Sequence, residues 1–251
     1  MSEEVAGTYN GFANTEVVDP GDGGDEWGDE EEYAIYTPVV DGWASAVKVT
    51  VTAAGKITVN VGGETLAGSG FDSVSNGVYA VTLRKTQKIK KGYLKGKTKV
   101  WEAYIEIDTG AAWCGRQVSG WYSTYTTGLS GMAAPAWISA QRNAFGGNAE
   151  AQAIAAAAAG KLTFTPKAVG GRDWSYELKP GGNAVAVTTR ANGTAVLAGT
   201  IAKAKVSGTA TFEVSETSAT VRFFTSKFIV EVVYTLENGE VVEAFGKVWK
   251  R

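Results

Sequence analysis

The chain has 251 residues with 24 basic and 26 acidic side chains, a net charge of −2, 32 glycines, five prolines, one cysteine and no histidine. That inventory excludes an internal disulfide, a Cys/His zinc cluster and every histidine-based nucleophile or general base. The balanced charge provides no global field to gather nucleic acid, and none is expected as a partner.

Abundant glycine and scarce proline suit short strands joined by tight turns, so the chain reads as all-β. The opening "MSEEVAGTYNGF" has neither the basic nor the apolar region of a signal peptide. No apolar run approaches the roughly 18 residues of a spanning helix, and no membrane insertion is expected. Next comes "DPGDGGDEWGDEEEY", Asp19 to Tyr33, with eight carboxylates and four glycines in fifteen residues. It is a loop by composition. Ca²⁺ takes six to eight hard oxygens, and Asp22, Asp25, Glu26 and Asp29 are the candidate ligands here. The spacing is not that of an EF-hand, and a solvated insertion is the competing reading. No other cofactor is expected.

From Ala46 to Leu83 apolar residues recur at every second position between glycine turns, the period of a sheet buried on one face. The basic run "RKTQKIKKGYLKGKTK", Arg84 to Lys99, follows with eight positive charges. Lys85, Lys88, Lys90, Lys91, Lys95 and Lys97 are candidate contacts for a polyanion such as polysaccharide. They also suit self-association through the acidic loop or contact with another surface protein. A solvated hairpin tip is the plainer alternative. "GKTK" at Gly96 lacks the spacing of a phosphate-binding loop.

In "WEAYIEID" the residues Glu102, Tyr104, Glu106 and Asp108 share one face of a strand. Alternate strand positions lie about 6.5–7 Å apart, near the separation of an inverting glycosidase pair. Same-face acids are nevertheless the ordinary solvent side of a half-buried sheet, and no enzyme is expected. In "AAWCGRQVSGWYSTYTTG", Trp113, Trp121, Tyr122 and Tyr125 are candidates for stacking on sugar faces. The alternative is that Trp121 plugs the core, as Trp249 would in a second copy.

The segment "LSGMAAPAWISAQRNAFGGNAEAQAIAAAAAG" is the one part that does not read as strand. It predicts a helix over 148–159, capped by Asn148, ended by Gly160 and packed on a sheet or between two repeats. Beyond it, Ala184 to Val221 aligns with Ala46 to Leu83 at an offset of 138 residues. That offset pairs Gly55 with Gly193, Val47 with Val185, and Ser69-Gly70 with Ser207-Gly208. Asn192-Gly193 and Asn238-Gly239 predict two-residue hairpin turns. The expected organisation is a first β repeat over 1–128, a connector over 129–160 and a second repeat over 161–251. The fold is then all-β, with two tandem antiparallel barrel- or sandwich-like units and one short Ala-rich helix.

The combination of "GTYNGF", "VTVTAAGKITVNV", "ISAQRNAF" and "AVLAGTIAKAKVSGTATF" resembles a two-repeat β module. That module recurs at the ends of long exported proteins of Lentisphaerota, Kiritimatiellota and related bacteria. The likeness covers nearly the whole chain and rests on turn glycines and strand residues. It departs where "IAKAKVSGT" replaces "LADGT". The resemblance implies a non-enzymatic extracellular or cell-surface role, as part of an exported protein or cleaved from one; the opening alone is equally compatible with the cytoplasm. The expected function is therefore a structural or adhesive module. A ligand-binding barrel for glycan or a small apolar molecule stands second, and a calcium-stabilised binding module third.

Overall fold

The computed structural model describes residues 2–15, 44–110, 117–129, 135–142, 149–166, 168–169, 176–177, 183–191, 194–209, 211–214, 218–225, 228–238 and 240–250. A single turn of helix, α1 (Ser2–Val5), leads into β1 (Gly7–Asn14), β2 (Ala44–Val51), β3 (Lys56–Val61), β4 (Glu64–Ser69) and β5 (Asp72–Ser75). Then come β6 (Val78–Lys88), β7 (Thr98–Asp108), β8 (Gln117–Thr126) and β9 (Ala136–Arg142). All nine form one antiparallel sheet in the order β4-β3-β2-β1-β9-β8-β7-β6-β5.

The sheet curls into a half-barrel around one continuous aliphatic face. Val47, Val49, Val51, Ile57, Val59, Leu83, Ile105, Ile107 and Val118 point inward and are buried together. Each such side chain contributes about 1.5–3 kcal/mol when taken out of water. Curling brings β4 against β6, where Glu64 Oε2 meets Lys85 Nζ at 2.7 Å. Gly68 lies so close there that an added Cβ would stand 2.6 Å from Leu83 Cδ2. Turn chemistry sets the registers. Gly62 (φ 59°) and Gly63 (φ 79°) form the two-residue turn between β3 and β4. Residues 53–55 form a three-residue loop closed by Thr52 N–H donating to Lys56 O at 2.9 Å.

β9 overturns an expectation. The segment around Ala136 does not read as strand, yet it pairs with both β1 and β8 and joins the two halves of the sheet. Ala136, Ile138 and Ala140 face the core, and Trp137 faces out. Two of those three inward residues are alanines with little strand preference, which hid the alternation. The partner strand supplies what the segment itself does not show: at Gly11 a Cβ would fall 1.9 Å from the Ser139 carbonyl oxygen, so only glycine admits β9 there.

The rest of the chain comprises α2 (Ala149–Ala157), β10 (Gly160–Phe164), β11 (Ala168–Val169), β12 (Tyr176–Glu177), β13 (Val185–Thr189), β14 (Ala195–Ile201) and β15 (Ala204–Thr209). It ends with β16 (Thr211–Val214), β17 (Ser218–Phe224), β18 (Phe228–Glu237) and β19 (Glu240–Lys250). These pair as β10-β13-β14-β15, β11-β12 and β16-β17-β18-β19. Val185, Val187, Leu197, Ile201, Val221, Phe223, Val230 and Val232 form one core, onto which the helix lays Ile154 and Ala158. The helix thus lies on the second core, and the Thr189 hydroxyl donates to the Ala158 carbonyl near its end.

Arg190 N–H donates to Thr194 O at 2.8 Å, but the expected turn residues Asn192 and Gly193 lie outside the described residues. The next turn differs from expectation. β14 runs on to Ile201, and its turn to β15 is Ala202 (φ 47°) and Lys203 (φ 64°), so Gly208 stands level with Leu197, where the 138-residue offset from the Val59–Leu66 pair gives Ala204. The longer hairpin also breaks the expected equivalence of Ser69-Gly70 and Ser207-Gly208. At the end of the chain, Glu237 pairs with Glu240 and Asn238 has φ 52°, while its expected turn partner Gly239 lies outside the described residues.

The two halves touch through their outer faces. Phe12 points outward from β1, and the Arg222 guanidinium of β17 lies 3.6 Å from its ring centroid. Arg222 also pairs with Glu231, its register partner on β18, which is 8% exposed.

Candidate functional site

Because β7, β8 and β9 are antiparallel and one face is core, alternate residues accumulate on the outer face. Register places Thr82, Tyr104, Trp121, Trp137 and Asn14 in one row across β6, β7, β8, β9 and β1. Its centre is three consecutive aromatic residues on three neighbouring strands. Tyr104 and Trp121 have ring centroids 6.4 Å apart and planes 19° from parallel. Trp137 keeps 51% of its surface in water, high for so large an apolar side chain.

Polar groups flank the row. Tyr104 OH donates to Glu106 Oε2 at 3.0 Å, and this bond raises the phenol pKa above its ordinary value by holding the proton. Ser119 and Ser139 stand opposite each other beside Trp121 and Trp137. On the other side Arg84 faces Glu102 across the ladder, and Arg84 Nη2 donates to Tyr125 OH at 3.2 Å. Flat apolar rings bordered by hydroxyls, carboxylates and a guanidinium form a surface that can stack on the C–H face of a sugar while bonding its hydroxyls.

Of the residues singled out for glycan, Trp121 and Tyr125 lie on this face, and Trp113 falls outside the described residues. Trp121 is partly buried but lies outside the core cluster and faces away from it, so it is not a core plug. Tyr122 has to be corrected. It points into the half-barrel, is 6% exposed and offers no ring to a ligand on this face. Burial, aided by the Glu64 carboxylate, pushes its pKa up to about 12. Sequence reading missed Tyr104 and Trp137 as stacking residues. The alternation of "WEAYIEID" was enough to place Tyr104 outward, whereas Trp137 needed β9 to be recognised as a strand.

The basic residues divide into two sets. Lys85 is held by Glu64 and lies 5.1 Å from the Trp101 ring centroid, and Lys97 Nζ donates to Gly128 O at 3.0 Å. Lys88, Lys90, Lys91 and Lys95 are exposed. The candidate calcium ligands Asp22, Asp25, Glu26 and Asp29 lie outside the described residues, among which no cluster of three or more metal-ligating side chains occurs. Glu102 and Glu106 share the outer face, but Tyr104 stands between them and already occupies Glu106. An open pocket of about 490 Å³ has a mixed lining, with Asn10, Lys48, Asn60, Glu64 and Thr65 beside Ala46, Val47 and Val61.

Comparison of the chain with protein-family models, with curated proteins and with solved structures finds no match.

Proposed function

We propose that this protein is a non-enzymatic adhesive module of the cell surface or extracellular space that holds glycan on the outer face of β7, β8 and β9. The carrying observation is the in-register row Tyr104–Trp121–Trp137 with Trp137 51% exposed. Three neighbouring outward rings on a hydrogen-bonded sheet form a rigid platform, and a platform that needs no ordering on binding loses little affinity to entropy. Trp137 stands outside the core cluster, to which its neighbours Ala136 and Ile138 belong.

The same reading takes the chain as two related units. The order β10-β13-β14-β15 repeats β1-β2-β3-β4, and β16-β17-β18-β19 repeats β5-β6-β7-β8. The bond from Thr52 N–H to Lys56 O has its counterpart 138 residues on, from Arg190 N–H to Thr194 O. Duplication suits a module that acts through surfaces rather than a single active site.

The test is affinity electrophoresis through gels containing neutral polysaccharides, supported by a glycan array. The native chain is expected to be retarded by at least one polysaccharide, with retardation lost in Trp121→Ala and in Trp137→Ala while far-UV circular dichroism is unchanged. Retardation by none of them, or retardation indifferent to both substitutions, overturns the proposal.

A further inference from the structure

The hairpin joining β6 to β7 ends in a folded tip. Ile89 N–H donates to Lys97 O and Gly96 N–H to Ile89 O, both at 2.9 Å. Lys95 N–H donates to Gly92 O at 3.1 Å, with Gly92 (φ 80°) and Gly96 (φ 89°) supplying the left-handed positions. At the apex Tyr93 is 96% exposed. Lys88, Lys90, Lys91 and Lys95 surround it, all exposed, and residues 84–99 contain no carboxylate.

The cations are sorted by role. Those at the base hold the fold: Lys85 on Glu64, Lys97 on Gly128, and Lys99 4.9 Å from the Trp101 ring centroid. The four at the tip point to water around a single tyrosine, which the tip's backbone bonds hold out rather than fold back. An amphipathic ring prefers a boundary between apolar and wet surroundings, and lysines near an anionic lipid surface are each worth about a fivefold gain in partition. One ring at the point of a hairpin reaches a surface end-on. A polysaccharide chain lies along several rings, and the row Tyr104–Trp121–Trp137 provides that elsewhere. Among the described residues no helix is long and apolar enough to cross a membrane.

We propose that the 88–95 tip docks on an anionic phospholipid surface, with Tyr93 at headgroup level and Lys88, Lys90, Lys91 and Lys95 on the phosphates. This stands independently of glycan binding by the β7–β9 face.

Vesicle flotation tests it, using phosphatidylcholine alone and phosphatidylcholine mixed with phosphatidylglycerol, at low and high salt. Flotation is expected only with the anionic vesicles and is expected to weaken with salt. Replacing Lys88, Lys90, Lys91 and Lys95 together by Gln should lower partition by roughly two to three orders of magnitude. Tyr93→Ala should lower it several-fold and Tyr93→Trp should retain it. All these positions are exposed, so thermal unfolding should be unchanged and loss of fold is separable from loss of contact. The proposal is overturned by no flotation; by flotation unaffected by both the lysine variant and Tyr93→Ala; or by retention on an acidic polysaccharide without flotation. Displacement from vesicles by inorganic phosphate at matched ionic strength also overturns it, since that marks a site for free phosphate.

Discussion

Arg222 ties the two halves of the molecule together through Phe12, and removing it has a calculable cost. It is 24% exposed at the side chain, lies 3.6 Å from the Phe12 centroid and neutralises Glu231, whose side chain is 10% exposed. Arg222→Met keeps the volume but leaves the carboxylate of Glu231 without its register partner. Breaking a buried pair from one side costs about 3–5 kcal/mol, and the arginine's partial hydration puts this case near the lower figure, about 3 kcal/mol. Loss of the contact over Phe12 adds about 1 kcal/mol. The double variant Arg222→Met, Glu231→Leu removes both charges, and a hydrophobic replacement of a buried pair is close to neutral. Urea unfolding of the four proteins of the cycle measures the coupling, expected to be at least about 2 kcal/mol in favour of the double variant over additivity. If Arg222→Met costs less than about 1 kcal/mol, or the double variant loses the sum of the singles, the pair is not buried as described and the reasoning fails.

The inward-outward alternation of β9 predicts that Ile138→Ala, at a buried position, costs about 2–4 kcal/mol while Trp137→Ala beside it costs under about 1; equal costs in thermal unfolding would mean the strand is turned over. Gly120 has φ +151°, and a Cβ there would stand 2.0 Å from the Tyr104 carbonyl oxygen. Gly120→Ala must part β7 from β8 and should cost about 3 kcal/mol or more by denaturant midpoint; a loss under about 1 would refute so close an approach. The Tyr122 phenol titrates at about 12 in the folded protein against the ordinary 10 of a solvated tyrosine. Its contribution is therefore fully present below about pH 10 and lost as pH rises from 10 to 12, a fall of about 2–3 kcal/mol. Tyr122→Phe should flatten that part of the alkaline stability curve relative to the native chain, and an unchanged slope would refute the assignment.

Much of this arrangement was legible in residue order. Period-two alternation with glycine turns is a local signal, so the strands from Ala44 to Asp108 and the hairpin at Asn238 follow from sequence alone. The Ala-rich helix was legible for the same reason. Turn position was less so: no local signal marks Ala202 and Lys203 as the turn between β14 and β15, which depends on how the two strands pair.

The candidate site was half legible. Trp121 and Tyr125 announce themselves by residue type, yet Tyr122 is as aromatic as its neighbours and faces the other way, because adjacent strand residues point to opposite sides of the sheet. Which parity is inward depends on where the apolar face of the whole half-barrel lies.

By itself, then, the sequence determined the strand-forming segments, the absence of histidine and disulfide chemistry, and the presence of a basic hairpin. Those properties reside in single residues and short periodic runs. Tertiary structure decided that residues 136–142 form a strand between β1 and β8, that Gly11 is the residue that lets them in, and that Tyr104, Trp121 and Trp137 meet in one row. These are matters of register between segments distant in the chain, which no local pattern encodes and which only the shared burial of one sheet face selects.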